Sequence, residues 1–433
     1  MLARHEGRVV LVAGAIPGET VRVRVDRVVA HTAQAEVVEV LDASPDRRPV
    51  DGEHGCGGQV LAHVAYARQC RLKAEILQDA CGRIGRLARD LPGVMPSPEL
   101  GYRMRARLHG HAGRIGFHRE GTHQICDAGA TGQLLPATVA WVRNMESLCG
   151  SGELDVAAVE LTENMVGTVR ACHLALRRPP RHAAIESLAG DGAQGRVSWS
   201  LDPHAGWGTD GRTGSARSRR RQPSGRGTES YLSEDAVVHG DAALVDAVHP
   251  ADGLPPVALR RHARAFFQGN RFLLDPLVQH VVGAAVEGPV LDLYAGVGLF
   301  GLSAAAAGRG QVVLVEGDAV SGADLLENAA PFAGATVWPV PVEDFLGSAA
   351  ATRHTPRTVI VDPPRTGMLP GVLKAIVALR PARVVFVSCD PATFARDARL
   401  LVDGGFSLSD LTLFDLFPGT AHVESVGIFD RTD

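Results

Sequence analysis

The stretch Val290-Leu291-Asp292-Leu293-Tyr294-Ala295-Gly296-Val297-Gly298-Leu299-Phe300 decides the fold class. An apolar run broken once by Asp292 reads as a buried strand, and the two glycines that follow read as a turn into a helix. Such a turn lets the backbone approach a ligand closely. It lacks the full GxGxxG spacing, which disfavours a dinucleotide pyrophosphate; taken alone, the glycines require no more than a tight turn. The next β run ends in Val315-Glu316, a carboxylate placed to accept two ribose hydroxyls.

Outward from this stretch, apolar β runs at 289–294, 311–315, 357–361 and 383–387 alternate with helical segments. That alternation, with strands apolar on both faces, predicts an α/β domain with an open parallel sheet. Leu408–Phe414 and Val423–Phe429 follow one another without a helix between them, which predicts an antiparallel hairpin at one sheet edge. Ligands of such sheets bind beyond the C-terminal strand ends, and two of these ends carry chemistry. Val361-Asp362-Pro363-Pro364-Arg365-Thr366-Gly367 is a proline-stiffened loop. Val387-Ser388-Cys389-Asp390-Pro391 puts a thiol just before a helix, whose N-terminus favours the thiolate. An isolated cysteine is ordinarily a small core residue; the position of Cys389 at the ligand edge, opposite Asp362, makes it a candidate nucleophile. Ala421-His422-Val423-Glu424-Ser425 places a carboxylate at the start of the last strand.

The preceding half divides further. Three β-like runs, 7–12, 20–29 and 34–41, predict a small antiparallel barrel, and Pro45–Pro49 is a plausible boundary. Val21, Val23 and Val25 alternate there with Arg22, Arg24 and Asp26. Helical spacing over Tyr66–Leu87 puts Cys70, Leu77, Ile84 and Leu87 near one stripe. From Glu99 the period returns to two: Tyr102, Met104, Ala106 and Leu108 interleave with Arg103, Arg105 and Arg107, and a strand near Ile115–Phe117 is expected to pair with them. The resulting division is 1–50 barrel, 51–265 central α+β domain and 266–433 α/β domain. Gly206–Ser230, with six arginines between Arg212 and Arg226, reads as an unstructured insertion or an arm that touches phosphates.

Composition narrows the function. The chain has 433 residues, 45% of them hydrophobic, with a net charge of −4, so a bulk basic field does not drive it onto nucleic acid. A local basic groove would suffice. Only Lys73 and Lys374 are lysines among 44 cationic residues. Met1–Gly14 carries His5, Glu6 and Arg8 within its apolar run, so a secretory signal is not expected, and neither is a membrane span. The cytosol is the expected compartment. Seven cysteines, an odd number without a CxxC pair, are expected to stay reduced.

The glycine turn, Glu316 and Asp344 after the third strand resemble S-adenosylmethionine-dependent methyltransferases, with Arg365 standing where amino-methyltransferases carry an aromatic residue. Phe267-Gln268 with Asn270, the Asp292–Gly298 turn, Asp362-Pro-Pro-Arg365, Ser388-Cys389-Asp390-Pro391 and His422-Val-Glu424 together resemble the RNA uracil-C5 methyltransferases that carry a TRAM domain. The resemblance covers nearly the whole chain. It implies a Rossmann-like catalytic domain preceded by an OB-like, RNA-binding TRAM barrel. It also implies S-adenosylmethionine held by Gln268, Tyr294, Gly296, Glu316, Asp344 and Asp362, Cys389 as nucleophile and Glu424 as general base. The barrel resembles the ribosomal branch, so rRNA is the expected partner ahead of tRNA, with the enzyme a monomer; a small-molecule methyltransferase and a non-catalytic RNA-binding protein are the alternatives. Two departures stand out. Members often hold an iron–sulfur cluster on a C-x5-C-x2-C set and a fourth cysteine; here only Cys56 remains, with Val50, Gln59 and Thr131 at the other positions, so no cluster and no metal is expected. Leu299 replaces a polar residue common in relatives.

Overall fold

The computed structural model describes residues 1–50, 55–119, 122–190, 195–202 and 239–432. The insertion expected at 206–230 lies outside the described residues.

The N-terminal unit is one four-stranded sheet of β1 (Leu2–His5), β2 (Arg8–Ala13), β3 (Thr20–Val29) and β4 (Thr32–Asp42), ordered β1-β2-β4-β3. The run expected at 7–12 is preceded by a strand too short to show a period. The pairing is not wholly antiparallel as expected: β2 lies parallel to β4, because the β3–β4 hairpin folds back across the sheet. Glu19 anchors the exit of this unit. Its carboxylate takes two bonds from Arg47 at 2.6 Å and is held down at about 2 by that guanidinium. Ile16 packs with Leu61, Val64 and Leu72, which joins the sheet to α1 (Tyr66–Arg83). That helix buries Leu72, Leu77, Ala80 and Cys81, and it ends before the expected Leu87, leaving Ile84 exposed.

The chain then forms β5 (Gly93–Met95), β6 (Arg105–His111), β7 (Arg114–His118), β8 (Ile125–Asp127), α2 (Pro136–Gly150), β9 (Val156–Glu163), β10 (Arg170–Leu176), α3 (His182–Ala189) and β11 (Gly195–Leu201). Six of these strands make a sheet ordered β11-β10-β9-β6-β7-β8. Its core takes Ala106, Leu108, Ile115 and Phe117, the face that the alternation predicts. A hairpin, β12 (Ala243–Val248) and β13 (Val257–His262), leads into the last unit.

That unit runs α4 (Leu274–Ala284), β14 (Val290–Leu293), α5 (Leu299–Ala306), β15 (Val312–Val315), α6 (Ala319–Ala329), β16 (Ala335–Trp338), α7 (Val342–Gly347), β17 (Thr358–Val361), α8 (Pro370–Leu379), β18 (Arg383–Ser388), α9 (Pro391–Asp403), β19 (Phe406–Phe414) and β20 (Glu424–Arg431). The eight-stranded sheet is ordered β16-β15-β14-β17-β18-β20-β19-β5. The four predicted apolar runs are β14, β15, β17 and β18, all parallel. At the opposite edge from β16 the final hairpin is antiparallel as predicted, and β5, from the first half of the chain, closes the sheet beside β19. Leu77 and Cys81 of α1 share a core with Phe394 and Leu401 of α9. No helix among the described residues is long and apolar enough to cross a membrane.

The expectation of reduced cysteines is wrong at one pair: Cys56 and Cys126 form a disulfide. Cys56 bridges to Arg119 just past β7, and β7 pairs with β8 so that Cys126 lies opposite Phe117. These pairings bring the two Cα atoms to 5.8 Å, within disulfide reach. Partners separated by 70 residues leave no local signature in sequence. Denatured under non-reducing conditions, the protein should alkylate five thiols, and all seven cysteines after reduction; intact-mass measurement distinguishes the two.

Candidate active site

Strand register builds the site. Leu293 lies opposite both Val315 and Val361, and Val361 opposite Phe386. Tyr294, Glu316 and Asp362, each one residue past its strand, therefore line up at one edge of the sheet. β18 continues to Ser388, so Cys389 emerges at that edge too. The last strand runs the other way. Its Ser425 pairs with Ser388 and donates to the Ser388 carbonyl at 3.2 Å. An antiparallel strand starts where its parallel neighbours end, and Glu424 thus enters beside Cys389.

The turn after β14 is held in a strained conformation. Tyr294 has φ +62°, unusual for a side chain of that size, and Gly296 and Gly298 follow at +58° and +97°. Glu316 locks the turn: its carboxylate accepts the Gly296 N–H at 2.7 Å and the Asp318 N–H at 2.6 Å. Asp292 lies beneath, fully buried, with one oxygen on the Gly301 N–H and the other without a partner; burial pushes its carboxyl up to about 8. Gln268 arrives from the loop after β13 and donates to Asp362 at 3.2 Å. Burial raises Asp362 to about 7, against the Gln268 bond and helped by Glu316. Glu316 is itself raised by burial.

Glu424 is 3% exposed, and its Oε1 has no hydrogen-bond partner. Burial and the neighbouring Asp362 hold its carboxyl well above the usual range, opposed only by Arg365. Cys389 differs from expectation. Its thiol is pushed up to about 12, by burial first and then by Glu424 and Asp362, with Arg365 again opposing. The helix N-terminus does not deliver the predicted thiolate because Asp390 occupies it: this carboxylate caps α9, accepting from Ala392 and Thr393 N–H at 3.0 and 2.8 Å. Two helix donors are thus taken, and only the Cys389 N–H and the Arg365 charge oppose the rise of the thiol.

Gln268, Glu316, Asp362, Cys389 and Glu424 thus meet in one cluster at the sheet edge, where Glu316 holds Gly296 and the Tyr294 side chain turns toward Glu343. Asp344 stands apart on the exposed first turn of α7. Leu299 is 6% exposed and packs into the core beneath the turn. One contact had no signal in the sequence: Arg365 Nη2 lies 3.3 Å from His422 Nδ1. Burial and Arg365 lower His422 to about 4, so its neutral ring meets the guanidinium.

Comparison with known proteins decides the family. Residues 346–432 match the tRNA (Uracil-5-)-methyltransferase family and residues 1–38 match the TRAM domain. The 23S rRNA (uracil(1939)-C(5))-methyltransferase RlmD of Methylococcus capsulatus is 32% identical, over 99% of this chain and 94% of its own length. The chain belongs to the RNA uracil-C5 methyltransferase family. The RlmD protein of Azoarcus sp. is 31% identical over 99% of this chain and 96% of its own. An uncharacterised RNA methyltransferase of Corynebacterium glutamicum is 30% identical over 99% and 93%. In fold, the methyltransferase superposes on the Pyrococcus abyssi tRNA (uracil-54, C5)-methyltransferase, solved with S-adenosyl-L-homocysteine, with a TM-score of 0.72. That pair is 23% identical, covering 97% of this chain and 94% of the other.

The residues fit S-adenosylmethionine. The unpartnered Asp292 oxygen, the open side of Gly296 and the carboxylate ring at Glu316 and Asp362 suit a polar, cationic nucleoside. They do not fit an iron–sulfur cluster. Cys56 is spent on Cys126, and Gln59 donates to the Thr131 carbonyl at 2.6 Å where two ligands would stand. Protein prepared without oxygen should contain far less than stoichiometric iron by elemental analysis; a full complement of iron with cluster absorbance would contradict this reading.

A second prediction concerns charge. With the thiol raised to about 12, the rate of covalent attachment to RNA should climb with pH across the neutral range. As Asp362 ionises through about 7, its growing negative charge should hold the slope below one decade per pH unit. Arg365→Gln removes the opposing cation and should slow attachment roughly tenfold near neutral pH, with S-adenosylmethionine affinity little changed by calorimetry. An unchanged attachment rate would show that Arg365 does not act on the thiol.

Proposed function

We propose that this chain methylates C5 of a uridine in ribosomal RNA, with Cys389 as nucleophile and Glu424 as general base. The observation that carries it is the pairing of Ser388 with Ser425, which seats a buried, unpartnered carboxyl beside a thiol. The RlmD relatives over the full chain support the ribosomal substrate. The TRAM match and the Arg103–Arg107 strand support RNA over a small molecule. A monomer acting in the cytoplasm, away from membranes, completes the reading.

S-adenosylmethionine supplies the methyl group; Gln268, Tyr294, Gly296, Glu316 and Asp362 would hold it, and Asp344 is a further candidate. The protein supplies the rest. The Cys389 thiol gives up its proton to solvent, the Arg365 charge favouring the thiolate, and the sulfur bonds to C6 of the uracil ring while Glu424 stands as its carboxylate. The displaced electron pair makes an enolate with carbanion character at C5. Burial excludes water while C5 is alkylated. Glu424 then removes the C5 proton, the C5–C6 double bond re-forms and the thiolate departs. A paired base hides the atoms involved, so the target uridine is unstacked or flipped out.

Two variants separate the steps. Cys389→Ala should abolish both turnover and the covalent complex. Glu424→Gln keeps the side-chain shape without a base, so enzyme should accumulate on methylated RNA as a nuclease-sensitive shifted band on a denaturing gel. Wild-type turnover by Glu424→Gln, or an adduct with Cys389→Ala, would remove the respective role. Incubating unmodified 23S rRNA and tRNA transcripts in parallel tests the substrate: methylation of the tRNA alone would overturn the ribosomal reading.

A further inference from the structure

Glu424 follows a loop, 415–423, that joins β19 to β20 and whose ends meet where Phe414 pairs with Glu424. Almost everything that fixes this loop comes from the first half of the chain or from the segment before α4. The Tyr102 hydroxyl donates to the Pro418 carbonyl at 3.2 Å, and Asn270 Nδ2 donates to the Leu416 carbonyl at 3.0 Å. Leu61 N–H donates to the Gly419 carbonyl at 2.7 Å. From α1, Gln69 Oε1 accepts the Gly419 N–H at 2.9 Å, while its Nε2 donates to Leu61 and Val64 carbonyls.

One contact in this set is ionic. Lys73, also on α1, is wholly buried, and its ammonium meets Asp415 Oδ1 at 2.5 Å and the Phe417 carbonyl at 3.0 Å. Both side chains are 0% exposed. The Phe417 carbonyl also accepts the Thr420 hydroxyl at 2.8 Å, and Thr420 Oγ1 accepts the His422 N–H at 3.0 Å. A chain of bonds therefore runs from Lys73 through Phe417 and Thr420 to His422, two residues from Glu424. The residue type is itself informative. This chain holds two lysines against 42 arginines, and one lysine stands where a compact ammonium must satisfy two acceptors in a closed pocket. Apolar packing often serves stability as well as a buried ion pair does; what the Lys73–Asp415 pair adds is a fixed geometry for the loop it holds.

We infer that Lys73 is a positioning residue for the general base, gripping Asp415 and the Phe417 carbonyl so that Glu424 is held at C5 of the bound uracil. This rests on the reading of Glu424 as the base. It separates Lys73 from the residues that bind cofactor or make the covalent bond, so its loss should slow proton removal ahead of every earlier step.

The test uses the full-length protein, 23S rRNA transcript tritiated at uridine C5, and carbon-14-labelled S-adenosylmethionine. Lys73→Met removes the ammonium. Lys73→Met with Asp415→Leu removes the whole pair without leaving a buried unpaired carboxylate, and supplies the readout where the single variant does not fold. In the folded variant, first-turnover carbon-14 incorporation should stay within about threefold of wild type, while tritium release falls about tenfold to a hundredfold, as for a small misplacement of a catalytic group. Covalent enzyme–RNA complex should build up accordingly. Equal loss of both signals, or loss of neither, would overturn the inference, since a merely structural role slows both together. Glu424→Gln in the same assay separates the two readings. If it releases tritium at the wild-type rate, the base assignment has failed; if it traps complex while the Lys73 variants do not, the positioning role has failed.

Discussion

The direction of one strand governs the chemistry of this molecule. Parallel strands deliver their loops to a single edge, and a sheet made only of them would bring Glu316, Asp362 and Cys389 together without Glu424. Inserting β20 antiparallel between β18 and β19 puts a strand beginning at the edge where the others finish. Glu424 reaches Cys389 through that reversal, and the Ser388–Ser425 pair sets the distance between them. The price is a long hairpin connection that its own strands cannot hold, and polar groups from α1 and the loop before α4 hold it instead.

The electrostatics follow from the same crowding. Asp292, Glu316, Asp362 and Glu424 are all raised by burial, and Glu424 and Asp362 in turn raise the cost of a negative charge on the Cys389 thiol. Arg365 opposes that rise at Cys389.

Much of this was legible in the sequence, for physical reasons. Strands buried on both faces must be apolar throughout, so β14, β15, β17 and β18 announce themselves, and residues one position past such strands are confined to the ligand edge. Alternation likewise gave the buried face of β6. What remained hidden depends on partners distant in the chain. β16, the third strand expected before Asp344, lies at the sheet edge, only partly buried, and carries no long apolar run to mark its bounds. The Cys56–Cys126 bond, the parallel β2–β4 pairing and the ion pair of Lys73 with Asp415 each join segments that no local period connects. The state of Cys389 was misjudged because the sequence shows a helix start but not how the fold buries the thiol beside Glu424 and Asp362.

The short strand β5 carries a consequence for how the chain came to be organised. Three residues, Gly93–Met95, cover the free edge of β19, and Asp415 hangs its N–H on the Met95 carbonyl. The sheet that carries the chemistry is therefore finished by chain synthesised long before it, and a fragment beginning near residue 266 would emerge with an uncovered strand edge, open to pairing with other chains. The transferase half is completed and held by the half that precedes it: β5 closes its sheet, and α1 supplies Leu77 to its core and Gln69 and Lys73 to its final loop.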